Sequence, residues 1–253
     1  MATTQKAIVQ YLADYLNVNK IKDYCPNGLQ VEGRESINRI VTGVTASQAL
    51  IDEAIKRGAD AILVHHGYFW KGEEQCVRGM KRQRLKALLS HDINLLAYHL
   101  PLDVHPVVGN NAQLAKRLSI DVGVGLEPAN PFSVAMRGRF SQPLTHADLH
   151  QQLTDSLDTR VLSEGEPEGI INTVAWCTGG GQGYIDAAAE QGIDAFISGE
   201  VSEQTIHTAR EMGIHFFAAG HHATERYGAK ALGEHLAAHY DVQVEFVDIP
   251  NPA

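Results

Sequence analysis

Two adjacent histidines close an apolar run, Ala61-Ile62-Leu63-Val64-His65-His66-Gly67. Tandem imidazoles suit transition-metal binding or proton transfer. The run is short and follows Gly58 and Asp60, which reads as a buried strand carrying two imidazoles at its C-terminal tip. Strand tips are where ligands bind in open α/β sheets. Successive strand side chains point to opposite faces, so the pair is expected where the strand gives way to the loop at Gly67. Asp103 lies between Pro101 and Pro106 and offers carboxylate oxygens. His221 and Glu225 are four apart at the start of an expected helix and share one of its faces. His65, His66, Asp103, His221 and Glu225 thus make a nitrogen–oxygen set without thiolate, which favours Zn, Mn, Fe, Co or Ni over Mg or Ca. Five protein ligands are too many for one open catalytic ion; they suit two divalent ions sharing a carboxylate. Each piece also has a plainer reading. One imidazole of the pair could be a bonded core histidine, Asp103 a turn cap, and His221–Glu225 an exposed helical pair. His207 and His222 are expected on the surface.

The chain has 253 residues, 44% of them hydrophobic, enough for one large or two ordinary domains. A net charge of −9 argues against general attraction to a nucleic-acid backbone. Cys25, Cys76 and Cys177 form no CxxC pair, which points to a reducing cytoplasm. No signal-peptide pattern opens the chain, and no apolar run nears the roughly 18 residues of a membrane span.

Strands and helices alternate. Ile8, Leu12 and Leu16 mark a first amphipathic helix. A strand is expected near Arg39–Val44, a helix over Ala46–Lys56, the His65-His66 strand, a helix over Met80–Ser90 and a strand over Ile93–Tyr98. This alternation indicates mainly parallel sheets. The pattern then recurs. Ile51-Asp52-Glu53-Ala54 and Gly58-Ala59-Asp60-Ala61 match Ile185-Asp186-Ala187-Ala188 and Gly192-Ile193-Asp194-Ala195 at a common offset of 134. Further on, Ile93 with Leu95-Leu96-Ala97 matches Ile214 with Phe216-Phe217-Ala218 at an offset of 121. Leu149, Leu153 and Leu157 repeat the spacing of the first helix. The expected fold is therefore α/β, two related halves facing a shared metal-binding cleft. The domains run 1–128 and 129–253, with the C-terminal segment able to pack back on the first. Under this alignment His65-His66 corresponds to Gly199-Glu200, and the His99–Asp103 tip to Gly220–Glu225.

Asn27-Gly28-Leu29-Gln30-Val31, Val64-His65-His66-Gly67, Leu102-Asp103, Ser198-Gly199-Glu200 and Gly220-His221-His222-Ala223-Thr224-Glu225 together resemble a known pattern. It is that of the bacterial YbgI-like proteins in the GTP cyclohydrolase 1 type 2 homologue family, also called NGG-interacting-factor-three-like. The resemblance covers almost the whole chain. It implies a dinuclear site at the same five residues, between two α/β domains, and a ring-shaped homohexamer.

The expected activity is metal-dependent hydrolysis of a nucleotide or related small molecule. The alternative is a non-enzymatic, metal-stabilised oligomeric binding protein. Glu200, His99 and His105 are the candidates for proton transfer. Glu200 is expected to face the metal set without being a required ligand, by holding a ligating histidine or moving a proton; a helix-end carboxylate is the alternative. The glycine-rich stretch Cys177–Gly183 reads equally as a phosphate cradle or a tight turn. Lys81, Arg82, Arg84 and Lys86 read as a solvated basic face, with phosphate or nucleic-acid contact the alternative. Phe69 and Trp70 read as a lid or subunit contact, or equally as local packing.

Overall fold

The structure is a computed structural model that describes residues 3–253. It divides into two units, one up to Gly109 with Gly228–Ile249, the other Asn110–Tyr227 with Pro250–Ala253. The first contains α1 (Gln5–Tyr15), β1 (Gly28–Val31), β2 (Arg39–Thr45), α2 (Gln48–Lys56), β3 (Ala61–His66), α3 (Gly79–Ser90), β4 (Asn94–Ala97) and the single turn α4 (Leu100–Asp103). The second contains α5 (Asn110–Arg117), β5 (Ile120–Gly125), β6 (Met136–Thr145), α6 (His146–Leu157), β7 (Leu162–Glu164), β8 (Ile170–Cys177), α7 (Ile185–Glu190), β9 (Ala195–Ser198), α8 (Glu203–Met212) and β10 (His215–Ala218). Helix α9 (His221–His239) starts in the second unit and ends in the first, where β11 (Gln243–Phe246) follows.

This division differs from a junction at 128/129, and the packing says why. Leu114, Ala115 and Leu118 are buried with Leu149, Leu153 and Trp176, so α5 belongs to the second core. Leu232 and Leu236 are buried with Ile8 and Leu12, so the later turns of α9 belong to the first.

The two sheets repeat one plan. The first has the order β1-β4-β3-β2-β11, the second β7-β10-β9-β8-β6-β5. In each, an antiparallel edge strand flanks a parallel run, four strands (β4, β3, β2, β11) in the first and three (β10, β9, β8) in the second. The offsets hold at the level of register. Ile40 pairs with Ala61 and Val174 with Ala195; Ala61 pairs with Asn94 and Ala195 with His215. Asp60 accepts from the amides of Asn38 and Arg39, at 2.8 and 2.9 Å. Asp194 does the same for Asn172 and Thr173, at 2.9 and 2.8 Å. One carboxylate therefore pins the start of the neighbouring parallel strand in each half, satisfying amides the ladder leaves over. Thr4 caps α1 and Thr145 caps α6, each through its side chain. The leucines of both helices are fully buried.

Where the halves diverge, polar groups have been taken inside. His146 stacks on Phe217 at 4.5 Å between ring centroids. Its Nδ1 lies 3.1 Å from Nδ1 of His215 and its Nε2 2.9 Å from Ser163 Oγ. Burial, then the neighbouring His215, pulls the His146 pKa down from 6.5 to about 4. Burial lowers His215 as well. Protons then bind the unfolded chain more readily than the fold, so stability is complete above about pH 6.5 and declines as pH falls toward 4. We expect the thermal midpoint to fall over that window, and His146→Gln to flatten the slope. An unchanged slope in the variant, followed by circular dichroism, would remove His146 from the account.

Candidate metal centre

In the first unit the imidazoles sit at the tips of β3 and β4. His65 is fully buried, and its Nδ1 donates to the carbonyl of Tyr98 at 2.9 Å. A carbonyl only accepts, so Nδ1 carries a proton and Nε2 is the nitrogen that a metal could take. That Nε2 lies 3.5 Å from Asp103 Oδ1. His66 Nδ1 lies 3.1 Å from Thr45 Oγ1. Strand β3 runs through His66 and gives way at Gly67 as expected, yet the two rings stand only 4.5 Å apart. Pairing with β4 stops at Val64, while pairing with β2 reaches His66. Held from one side only, the last two residues need not keep the full pleat.

His99 joins them. Donor atoms of His65, His66 and His99 lie within 4.8 Å of one another. Its placement comes from the segment that precedes β1. Asp23 Oδ1 accepts from His99 Nδ1 at 2.7 Å, and Oδ2 from the Leu100 amide at 2.9 Å. Asn27 Oδ1 accepts from the His99 amide at 2.7 Å, and its Nδ2 donates to Asp23. Burial would raise the Asp23 carboxyl, but its hydrogen bonds and the charge of His99 hold it below the usual range. Gln30 ties the same segment to the loop after His66, donating to the carbonyls of Pro26 and Tyr68 and accepting from the Tyr68 amide. Asp103 is buried in α4, where Pro101 is tolerated in the first turn because its missing N–H would have had no partner there.

The aromatic residues after Gly67 differ in role. Tyr68 is core, its hydroxyl donating to Ala46 O. Trp70 stands edge-on to His99, with centroids 4.9 Å apart. Phe69, at φ 64°, lies under the ammonium of Lys81, 5.1 Å from the ring centroid. Lys81 also pairs with Glu73 at 3.1 Å, and Arg84 lies over Tyr68. These two cations brace the insertion, so the basic stretch of α3 is only in part the solvated face its composition suggested.

In the second unit β9 leads into Gly199-Glu200, and His221 opens α9. Glu200 Oε1 accepts from His221 Nδ1 at 2.7 Å. His221 Nε2 lies 3.0 Å from Glu225 Oε2, one turn along the same helix face. Glu225 is buried. Burial alone would lower the His221 pKa, but hydrogen bonds and charge from Glu225 and Glu200 outweigh it and raise it to about 9. The glycine-rich stretch packs beneath these groups. The Gly179 carbonyl accepts from the amides of Gly199 and Glu200, and its own amide donates to Thr224 Oγ1 at 3.0 Å. Gly179 has φ +65°, and a Cβ there would fall on Glu225 Oε1. The tight-turn reading of 177–183 is the one its geometry follows, with the added role of flooring His221 and Glu225.

His105 goes elsewhere. Its Nδ1 accepts from the amides of Val107 and Val108, and its ring packs 4.4 Å from Tyr15. Burial and the nearby His235 lower its pKa. It is not gathered with His65, His66 and His99. His207 is exposed as expected, 3.9 Å from Glu203, but His222 is buried, its amide donating to the Ala253 carbonyl. Asp23 and Gly179 are not among the expected site residues; Pro26-Asn27-Gly28 and the glycine run are turn-formers that mark their segments, but not what they touch.

The residues present fit a metal. Imidazoles whose Nδ1 is held by a carboxylate, carbonyl or hydroxyl are oriented to ligate through Nε2, and buried carboxylates stand beside them. A duplicated α/β protein with such sets at its strand tips is the class defined here. A family description, Duf34/NIF3 (NGG1p interacting factor 3), matches residues 3–252, and the chain belongs to that family. It is 61% identical over 243 residues to the GTP cyclohydrolase 1 type 2 homolog of Yersinia pestis, covering 96% of each chain. It is 55% identical to the protein of that name from Pseudomonas aeruginosa, across the whole of both. Among solved structures, protein ybgI, described as of unknown function, superposes with TM-score 0.95 at 55% identity, covering 99% of this chain and 100% of that one.

Two outcomes follow from this geometry. A metal taken up by His221 must displace its proton, so the affinity for Zn should rise about tenfold per pH unit between about pH 7 and pH 9. Chelator competition measures this; a flat profile would show that His221 does not ligate. Gly179→Ala should push Glu225 aside and weaken metal binding by about 10–100-fold with the circular-dichroism spectrum kept. Unchanged affinity would mean that Glu225 is not positioned by that floor.

Proposed function

We propose that this protein is a dinuclear metal-dependent hydrolase, with His65, His66, Asp103, His221 and Glu225 as ligands. The observation that carries the reading is the outward anchoring of Nδ1: on Tyr98 O for His65, on Thr45 Oγ1 for His66 and on Glu200 for His221. That pattern would leave each Nε2 as the ligating nitrogen. Two divalent ions would supply an acidified water and a Lewis acid at the reacting centre. Asp103 and Glu225 would supply negative charge to offset that of the ions. Glu200 would hold the His221 ring and exchange a proton with the reacting group through its second oxygen. His99, fixed by Asp23, would present Nε2 beside the ligands, and Trp70 would shield that side from water. The substrate class, a nucleotide or related small molecule, takes its support from the names of the relatives.

The test begins with metal analysis of the purified protein and a nucleotide panel run with added Mn or Zn. Asp103→Ala and Glu225→Ala should each lower occupancy sharply, since each removes a carboxylate from the proposed ligand set. Full occupancy in both variants would sink the ligand assignment. Glu200→Gln keeps the shape and removes the charge. We expect metal to stay bound while turnover falls by about 10²–10⁴. Metal-loaded protein with no turnover across the panel would favour the binding-protein alternative.

A further inference from the structure

The chain has eight tyrosines, seven phenylalanines and two tryptophans. Among the described residues only Tyr24 and Phe69 of these are well exposed, at 62% and 39%. Both belong to the first unit, and both lie on the loops that carry its imidazoles. Tyr24 follows Asp23, which holds His99; Phe69 follows the His66 tip of β3.

The two rings differ in what they leave open. Phe69 already has the Lys81 ammonium over its face. Tyr24 is fastened through its backbone alone. Its amide donates to Asp23 Oδ1 at 2.6 Å, and its carbonyl accepts from the Lys71 amide at 2.7 Å. Its ring stands 6.3 Å from that of His99 between centroids, tilted by 57°. Trp70 contacts His99 as well, with its indole Nε1 donating to Gly67 O at 3.2 Å. The main chain is thus fixed around a phenol ring whose surface is left in water beside the imidazoles. Such a ring suits a planar partner, since stacking covers the faces of both and asks for no particular pattern of donors.

The charges point to an anionic group on that partner. Lys22 and Lys71 are exposed, and neither meets a carboxylate among the described residues. Asp23, next to Lys22, is turned inward with its side chain 3% exposed. Two unpaired ammoniums therefore flank Tyr24 on a chain whose net charge is −9. A flat ring joined to a phosphate is the chemistry that both features recognise.

We propose that Tyr24 is the stacking face for the base of a nucleotide, with Lys22 and Lys71 meeting its phosphate. The proposal rests on the reading of the neighbouring centre as one that acts on a nucleotide. Calorimetric titration of the Zn-loaded full chain with AMP, GMP and ribose 5-phosphate tests it. The wild type should bind both nucleotides more tightly than the sugar phosphate. Tyr24→Ala should weaken AMP and GMP binding by about 5–150-fold, the worth of one base stack, and leave ribose 5-phosphate unchanged. Tyr24→Phe should keep wild-type affinity, and Tyr24→Leu, apolar without a ring, should behave as the alanine variant. Lys22→Ala with Lys71→Ala should weaken all three ligands. Wild-type nucleotide affinity in a folded Tyr24→Ala or Tyr24→Leu protein overturns the proposal. So does a wild type that binds no nucleotide, or binds ribose 5-phosphate as tightly. Zn content, measured on each sample, keeps the two readings apart. A wild type that takes up no Zn sinks the metal centre and leaves the titration to judge Tyr24; bound Zn without a preference for the base sinks the stacking face alone.

Discussion

The arrangement depends on one constraint: an imidazole that is to offer Nε2 must place its other proton elsewhere. Each half meets it with a different acceptor. His65 uses the carbonyl released where β4 ends, at Tyr98. His99 uses the carboxylate of Asp23, and His221 that of Glu200. A backbone acceptor, a loop carboxylate and a strand-tip carboxylate differ in origin but direct the ring in the same way. Much of the surrounding structure serves those acceptors. Asn27 holds both Asp23 and the His99 backbone, and Gly179 accepts the amides that set the Gly199-Glu200 turn.

The duplicated plan explains why such groups arise at equivalent places. Parallel strands in one register end at one level, so substitutions after β3 and β9, or after β4 and β10, share a position in each half. The pinned strand starts at Asp60 and Asp194 preserve that register. What differs is the chemistry placed on the tips. His65-His66 answers to Gly199-Glu200, so one half carries adjacent imidazoles and the other a carboxylate supporting an imidazole on the following helix. Away from the tips the halves diverge more freely. Asn94 bonds the carbonyls of Arg34 and Asp60, while His215, its counterpart, faces His146.

Sequence by itself determined the α/β class, the internal duplication and the residue types suited to a metal. Hydrophobic period and the offset of 134 are properties of the chain, and sheet register follows from them because neighbouring parallel strands must bury matching runs. The start of α9, with His221 and Glu225 on one face, also follows from spacing alone. Tertiary structure decided what each side chain meets. Nothing local tells that His105 packs against Tyr15 while His99 joins the imidazole pair. Both follow the same strand, and the choice is made by Asp23 and Asn27, more than seventy positions away in the chain. The same holds for Gly179: a glycine run signals a turn, but only folding sets it under Glu225. The division at 109/110 and the return of 228–249 were likewise settled by which core buried Leu114 and Leu232, a competition between surfaces that no single segment encodes.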